Sequence, residues 1–245
     1  GLSPEREEYG EYPGAYTYKY PVAGADNAQC TVWSFDIASR QTRQLQVPLD
    51  SDGYIPRIKT TNDAAKVLVL TMNRHQDCLR VYQTNPLSTV SQLLIEDKVQ
   101  KYVKEECVTW MMVTDKYMLL PSDRDGWMHL YLYNLNGQLL RQVDQGDYEV
   151  SAVYGVDDAT GDVYYASHQY GATDQRVFVS HANGKKVCLT DKAGWSQAVF
   201  SKDYRFFLNT WSNLNTPPTV TLHATGGKEI ATLHVNQTLR EQLAK

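Results

Sequence analysis

The sequence predicts an all-β protein, a partial β-propeller made of about four and a half four-stranded blades of a larger ring. Three observations predict it. Seventeen tyrosines against five phenylalanines weight the chain toward aromatic residues, which suit half-buried strands. A unit of polar turn, strand, loop, alternating strand, tight turn and final strand recurs at a spacing of about 40 to 50 residues, the repeat length of propeller blades. The tight turns fall at corresponding places in successive units, where Asn and Gly supply the positive φ angles that hairpins need.

In chain order, Gly1 to Pro21 is rich in Pro, Gly and Tyr and reads either as a long loop or as an extended aromatic arm packing on a partner. Residues 22–245 read as blades. Val32 to Val47 supplies only the last hairpin of one of them. Four fuller copies follow, Ile55–Asp97, Val108–Gly146, Ser151–Gly194 and Ser196–Val235, each laid out as four short strands. Their hairpin turns sit at Asn85-Pro86, Asn134–Gly137, Ala182–Gly184 and Thr225–Gly227. A blade buries its faces only against neighbouring blades, so this count suggests an arc of a larger ring, with a small closed ring as the alternative. Within the second copy, Ser122–Gly137 (SDRDGWMHLYLYNLNG) reads as a hairpin in which Met128, Leu130 and Leu132 share one face and His129, Tyr131 and Tyr133 the other. Asp123, Arg124 and Asp125 are expected to tie its loop together.

With 42% apolar residues, 21% charged residues and a net charge of -4, the composition is globular and gives no electrostatic case for nucleic acid. No apolar run approaches the roughly 20 residues that span a bilayer, and the first ten residues carry no signal-peptide pattern. That leaves a cytosolic chain or one whose targeting segment lies elsewhere. Cys30, Cys78, Cys107 and Cys188 lie far apart with no C-x-x-C pair, so they read as small buried thiols rather than a metal site or disulfide framework.

Catalytic chemistry is sparse. Gly194-Trp195-Ser196-Gln197-Ala198 approaches the nucleophile motif G-x-S-x-G but fails at Ala198 and sits where the repeat places a turn into a first strand. The six histidines form no H-E-x-x-H and no i, i+4 pair; His129, inside an alternating strand, reads as structural or surface. Lys104-Glu105-Glu106 could bind a cation or a substrate amine, or be a solvated charge cluster. There is no phosphate-binding glycine loop, and no metal or cofactor is expected.

The segments around these elements resemble the propeller of the dipeptidyl peptidase IV family of prolyl-oligopeptidase-type serine peptidases, closest to bacterial members. The resemblance is carried in order by YKYPVAGADNA (Tyr18–Ala28), YIPRI (Tyr54–Ile58), MNRHQDCLRVY (Met72–Tyr82), SDRDGWMHLYLYNLNG, QGDYEV (Gln145–Val150) and WSNLNTPPTVTLH (Trp211–His223). It spans essentially the whole chain. Asp77 and Pro121 depart from the family's usual residues.

This resemblance implies an eight-bladed propeller and, after it, an α/β-hydrolase domain in cis that carries Ser, Asp and His and is absent here. It implies release of N-terminal dipeptides with Pro or Ala second, a peptide substrate gated by the propeller, a homodimer, and export to a periplasm or the exterior. The family's amine-binding glutamate pair maps before Gly1, while a substrate-facing loop maps near Lys104–Cys107, where the family's aromatic and arginine are not matched. Glu105 and Glu106 are therefore the candidate substrate contacts. The family's dimerisation arm maps onto Gly1 to about Tyr20, which makes Tyr9, Tyr12, Tyr16 and Tyr18 the candidate interface. The chain alone is expected to hydrolyse nothing, since acyl transfer needs nucleophile, base and oxyanion donors together. The alternatives are a stand-alone propeller that binds a protein and the propeller of a related acylaminoacyl peptidase.

Overall fold

A near-continuous apolar run, with successive side chains pointing to opposite sides, gives a strand two burying faces, and β-strands such as Val67–Met72 and His129–Asn134 use both. The computed structural model describes residues 5–8, 10–12, 14–18 and 23–243. A hairpin, β1 (Glu5–Glu8) and β2 (Gly14–Thr17), comes first, followed by a second hairpin, β3 (Trp33–Asp36) and β4 (Gln41–Gln44). Four antiparallel four-stranded meanders follow. The first comprises β5 (Tyr54–Thr60), β6 (Val67–Met72), β7 (Cys78–Thr84) and β8 (Ser91–Lys98). A short helix, α1 (Glu105–Thr109), leads into the second, β9 (Met112–Val113), β10 (Tyr117–Ser122), β11 (His129–Asn134) and β12 (Leu139–Gln142). The third is β13 (Val150–Val156), β14 (Val163–Ser167), β15 (Arg176–Ser180) and β16 (Lys186–Cys188). The fourth is β17 (Trp195–Phe200), β18 (Phe206–Asn213), β19 (Thr216–Ala224) and β20 (Glu229–His234), with helix α2 (Gln237–Leu243) after it.

These sheets are the blades of a partial β-propeller, and their cores lie between them. In the first core, Leu68, Leu70, Leu79 and Val81 of one blade meet Met118, Leu120, Tyr131 and Tyr133 of the next. The intervening residues of that second blade, Leu119, Leu130 and Leu132, turn the other way and join Val163, Tyr165 and Phe178 of the third. Tyr164, Val177 and Val179 in turn face Phe207 of the fourth. Each fully buried side chain of this kind contributes about 2 kcal/mol relative to exposure, so side chains that point alternately to opposite faces stitch the second and third meanders to both of their neighbours. No core cluster joins the fourth meander back to β3 and β4 among the described residues.

Met128 departs from its expected face. It lies just before β11 and packs with Tyr131 and Tyr133 rather than with Leu130 and Leu132; strand alternation begins only at His129. Helix α1 also stands where strand was expected, leaving β9 only two residues long. Cys78 and Cys107 are buried as expected, whereas Cys30 is exposed.

Hairpin geometry repeats from blade to blade. Gly137, Gly184 and Gly227 hold φ of 82°, 84° and 87° at equivalent turns. The Asn85-Pro86 turn of the first full blade obtains the same conformation from Thr89, at φ 66°.

Candidate functional site at one end of the blades

In a four-stranded meander, chain reversal places the loop between the second and third strands at the same end as the connection to the next blade. At that end the sequence concentrates its polar chemistry. The β10–β11 loop contains Asp123, Arg124, Asp125 and Trp127, and it does more than tie itself together. Arg124 donates from its backbone N–H and from Nε to Ser122 Oγ, both at 3.2 Å, and from Nη2 to the Tyr133 hydroxyl at 3.0 Å. Its guanidinium lies 4.0 Å from the Tyr131 ring centroid. Arg124 Nη2 also approaches Asp97 Oδ1 of β8 to 2.9 Å, off the N–H direction, so both Asp97 oxygens lack a directed hydrogen bond. Burial pushes the Asp97 carboxyl up, against the pull of the Arg124 charge.

Lys104, at the N-cap of α1, joins three segments. Its Nζ is 2.8 Å from Glu149 Oε1 and 3.8 Å from Asp123 Oδ2. Burial opposes its charge, but the Glu149 hydrogen bond and the two carboxylates outweigh that and raise its pKa. Asp125 takes His129 Nδ1 at 2.8 Å and a hydrogen bond from Gln142 at 2.8 Å. Burial resists ionisation of Asp125, yet the His129 and Gln142 contacts hold its carboxyl below the usual range. His129 is 1% exposed, which excludes a surface role.

Beside Lys104 and Glu149 opens a cleft of about 580 Å³ lined by Trp127, Asp147, Tyr148, Glu149 and His168 among others. Further along the same end, Gln175 accepts from Ser196 N–H and donates to Ser196 O, each at 2.9 Å, binding the third blade to the fourth.

The sequence candidates distribute unevenly over this geometry. Glu105 and Glu106 occupy the first turn of α1, beside Lys104, but their carboxylates make no hydrogen bond or ion pair among the described residues. Tyr12, Tyr16 and Tyr18 are 90%, 43% and 38% exposed, and the Tyr16 and Tyr18 rings lie 5.4 Å apart; Tyr9 lies outside the described residues. Ser196 is fully buried near the start of β17, paired with Trp211, with no strand-to-helix turn around it. Among the described residues no group of three His, Cys, Asp or Glu is placed to hold a metal ion, and no helix is long and apolar enough to cross a membrane. Sequence reasoning missed the Arg124–Asp97 and Lys104–Glu149 contacts and the cleft. The dense DRDGW loop and the Tyr148-Glu149 pair were the available signals.

Comparison with known proteins decides the relationship. The family described as "Dipeptidyl peptidase IV (DPP IV) N-terminal region" matches residues 3–218. The chain belongs to this family. Among curated relatives of this dipeptidyl peptidase IV N-terminal region, a probable dipeptidyl peptidase 4 of Aspergillus flavus is 26% identical over 95% of the chain and 32% of its own length. The crystal structure of Porphyromonas gingivalis dipeptidyl peptidase 4 superposes with a TM-score of 0.89 at 36% identity, covering 98% of this chain and 35% of that one. A putative dipeptidyl aminopeptidase IV from Bacteroides ovatus superposes with a TM-score of 0.77 at 20% identity, a likeness in fold alone. The chain thus spans about a third of the length of these relatives.

Proposed function

We propose that this dipeptidyl peptidase IV-type propeller region serves a serine exopeptidase that releases dipeptides from peptide N-termini, with Pro or Ala in the second position. The observation that carries this is the collinear match to dipeptidyl peptidases over nearly the whole chain, at 36% identity to the bacterial structure. In this reading a catalytic α/β-hydrolase domain follows in cis, and the propeller limits access to flexible peptides. Glu105 and Glu106, next to Lys104 on the connecting helix, are proposed to face that substrate. The parent is proposed to be exported and to dimerise through the arm bearing Tyr12, Tyr16 and Tyr18, whose exposed aromatic rings suit an interface. Exposed apolar residues that pair across strands on the fourth blade, Val199 at 70% and Leu208 at 38%, support this face being a contact surface, because contiguous exposed apolar patches mark such surfaces.

The test is hydrolysis by the full-length protein of a Gly-Pro chromogenic amide and of its N-acetylated counterpart. Cleavage of the free amine alone, abolished by a serine-directed phosphonate, is expected. Cleavage of an acetyl-Ala chromogenic amide instead, with release of a single acylated residue, would assign an acylaminoacyl peptidase, and cleavage of none of these amides a binding module.

A further inference from the structure

We propose that the cleft between the β10–β11 loop and the third blade binds a guanidinium or ammonium side chain of an extended peptide, held between Trp127 and the carboxylate of Asp147. This deepens the reading above in one respect only, by taking the ligand to be a peptide.

Three features carry the assignment. The cleft, at about 580 Å³, falls within the ~300–1,000 Å³ of small-molecule sites. Its walls combine aromatic and acidic side chains: Trp127, 39% exposed, from the β10–β11 loop, and Asp147, Tyr148 and Glu149 from the connection between β12 and β13. A ring face attracts a cation within about 6 Å of its centroid. Tyr148 already does this inside the fold, since Lys186 Nζ lies 5.1 Å from its centroid and 2.7 Å from its hydroxyl.

The charge at the cleft is only partly met from within. Glu149 is engaged by Lys104 at 2.8 Å. Asp147 is exposed and has no side-chain hydrogen bond or ion pair among the described residues. Its neighbour His168 is turned against Trp195, with ring centroids 5.3 Å apart. One unpaired carboxylate and one partly exposed indole therefore line the cleft, a combination that suits a long side chain with an apolar stem and a cationic head. A neutral or anionic group would leave Asp147 unanswered.

The test uses the full-length protein and isothermal titration with an N-acetylated pentapeptide carrying a central Arg, compared with the same peptide carrying citrulline, its neutral isostere. A peptidase that requires a free N-terminal amine does not cleave an acetylated peptide, and binding is read here without turnover, so this result stands apart from the hydrolysis assay. The Arg peptide is expected to bind roughly tenfold more tightly than the citrulline peptide, the scale of one partly desolvated cation–π contact with a carboxylate beside it. That preference should shrink as salt rises from about 0.01 M to about 1 M, where screening shortens from roughly 30 Å to 3 Å. Trp127→Leu and Asp147→Asn are each expected to abolish it. If Trp127→Leu fails to fold, Asp147→Asn carries the test, because that residue is exposed and its carboxylate makes no hydrogen bond or ion pair among the described residues. Equal binding of the two peptides, retention of the preference in Asp147→Asn, or binding of free ethylguanidinium as tightly as the Arg peptide would each overturn the proposal.

Discussion

Arg124 Nη2 lies 2.9 Å from Asp97 Oδ1, across the boundary between two blades. The same guanidinium covers Tyr131 and bonds to the Tyr133 hydroxyl, so one side chain joins a loop, a strand and the neighbouring sheet. Removing it strands a carboxylate whose side chain is 1% exposed. Breaking a buried pair from one side typically costs about 3–5 kcal/mol. Arg124 is itself 25% exposed, which points to the lower end, about 3 kcal/mol. Arg124→Ala should show this loss in denaturant unfolding, and Arg124→Ala with Asp97→Asn should recover part of it. A double variant no more stable than the single one would contradict the pairing.

Asp144 supplies a pH dependence. It is 5% exposed, accepts the Leu130 N–H at 3.3 Å through Oδ1, and leaves Oδ2 without a partner. Burial raises its pKa to about 6, against the opposing pull of His129, the Leu130 N–H and Lys186. For a carboxyl raised on folding, the contribution is full below the unfolded pKa near 3.8 and is lost as pH rises through about 6. The span corresponds to about 3 kcal/mol. The stability of wild type relative to Asp144→Asn should therefore fall between pH 4 and 6, roughly by that amount, and then level off. Parallel profiles for the two proteins would contradict this.

Equivalent turns should respond differently to the same substitution. Gly137 and Gly184 share a positive φ, so Ala at either carries the left-handed penalty of about 1–2 kcal/mol. A methyl at Gly137 would also overlap the backbone of Leu94 in the preceding blade, whereas nothing lies within 4 Å of the same position at Gly184. Gly137→Ala should lower the melting temperature at least about twice as far as Gly184→Ala. Equal shifts would show that the turn of the second blade does not bear on its neighbour.

The arm can be tested by sedimentation. On the proposed dimer interface, Tyr16→Ser with Tyr18→Ser should shift the full-length protein toward monomer, since hot-spot aromatics at interfaces account for about 2 kcal/mol or more each. An unchanged dimer would count against the arm as interface.

Local chemistry was legible in the chain because its causes are local. The alternation of Leu130, Tyr131, Leu132 and Tyr133 sets two faces, and Asn134 with Gly137 closes the turn through neighbouring backbone groups. The same reasoning located four blades and a half-blade hairpin. It placed Met128 on the wrong face because period-2 logic holds only inside the strand, and it missed α1 because five residues carry too little helical periodicity to stand out.

The sequence by itself therefore determined the blade repeat, the turn positions, the family membership that its ordered motifs signal, and the lack of a local catalytic motif. The tertiary structure decided which charges meet. Lys104 and Glu149 are separated by 45 residues, and Asp97 and Arg124 belong to different repeats. No local pattern encodes such pairs, because they arise only when blade packs on blade and brings one end of each meander into a common rim. The cleft between Trp127 and Asp147 is of the same kind, since its walls come from two blades and exist only once the core between them has formed.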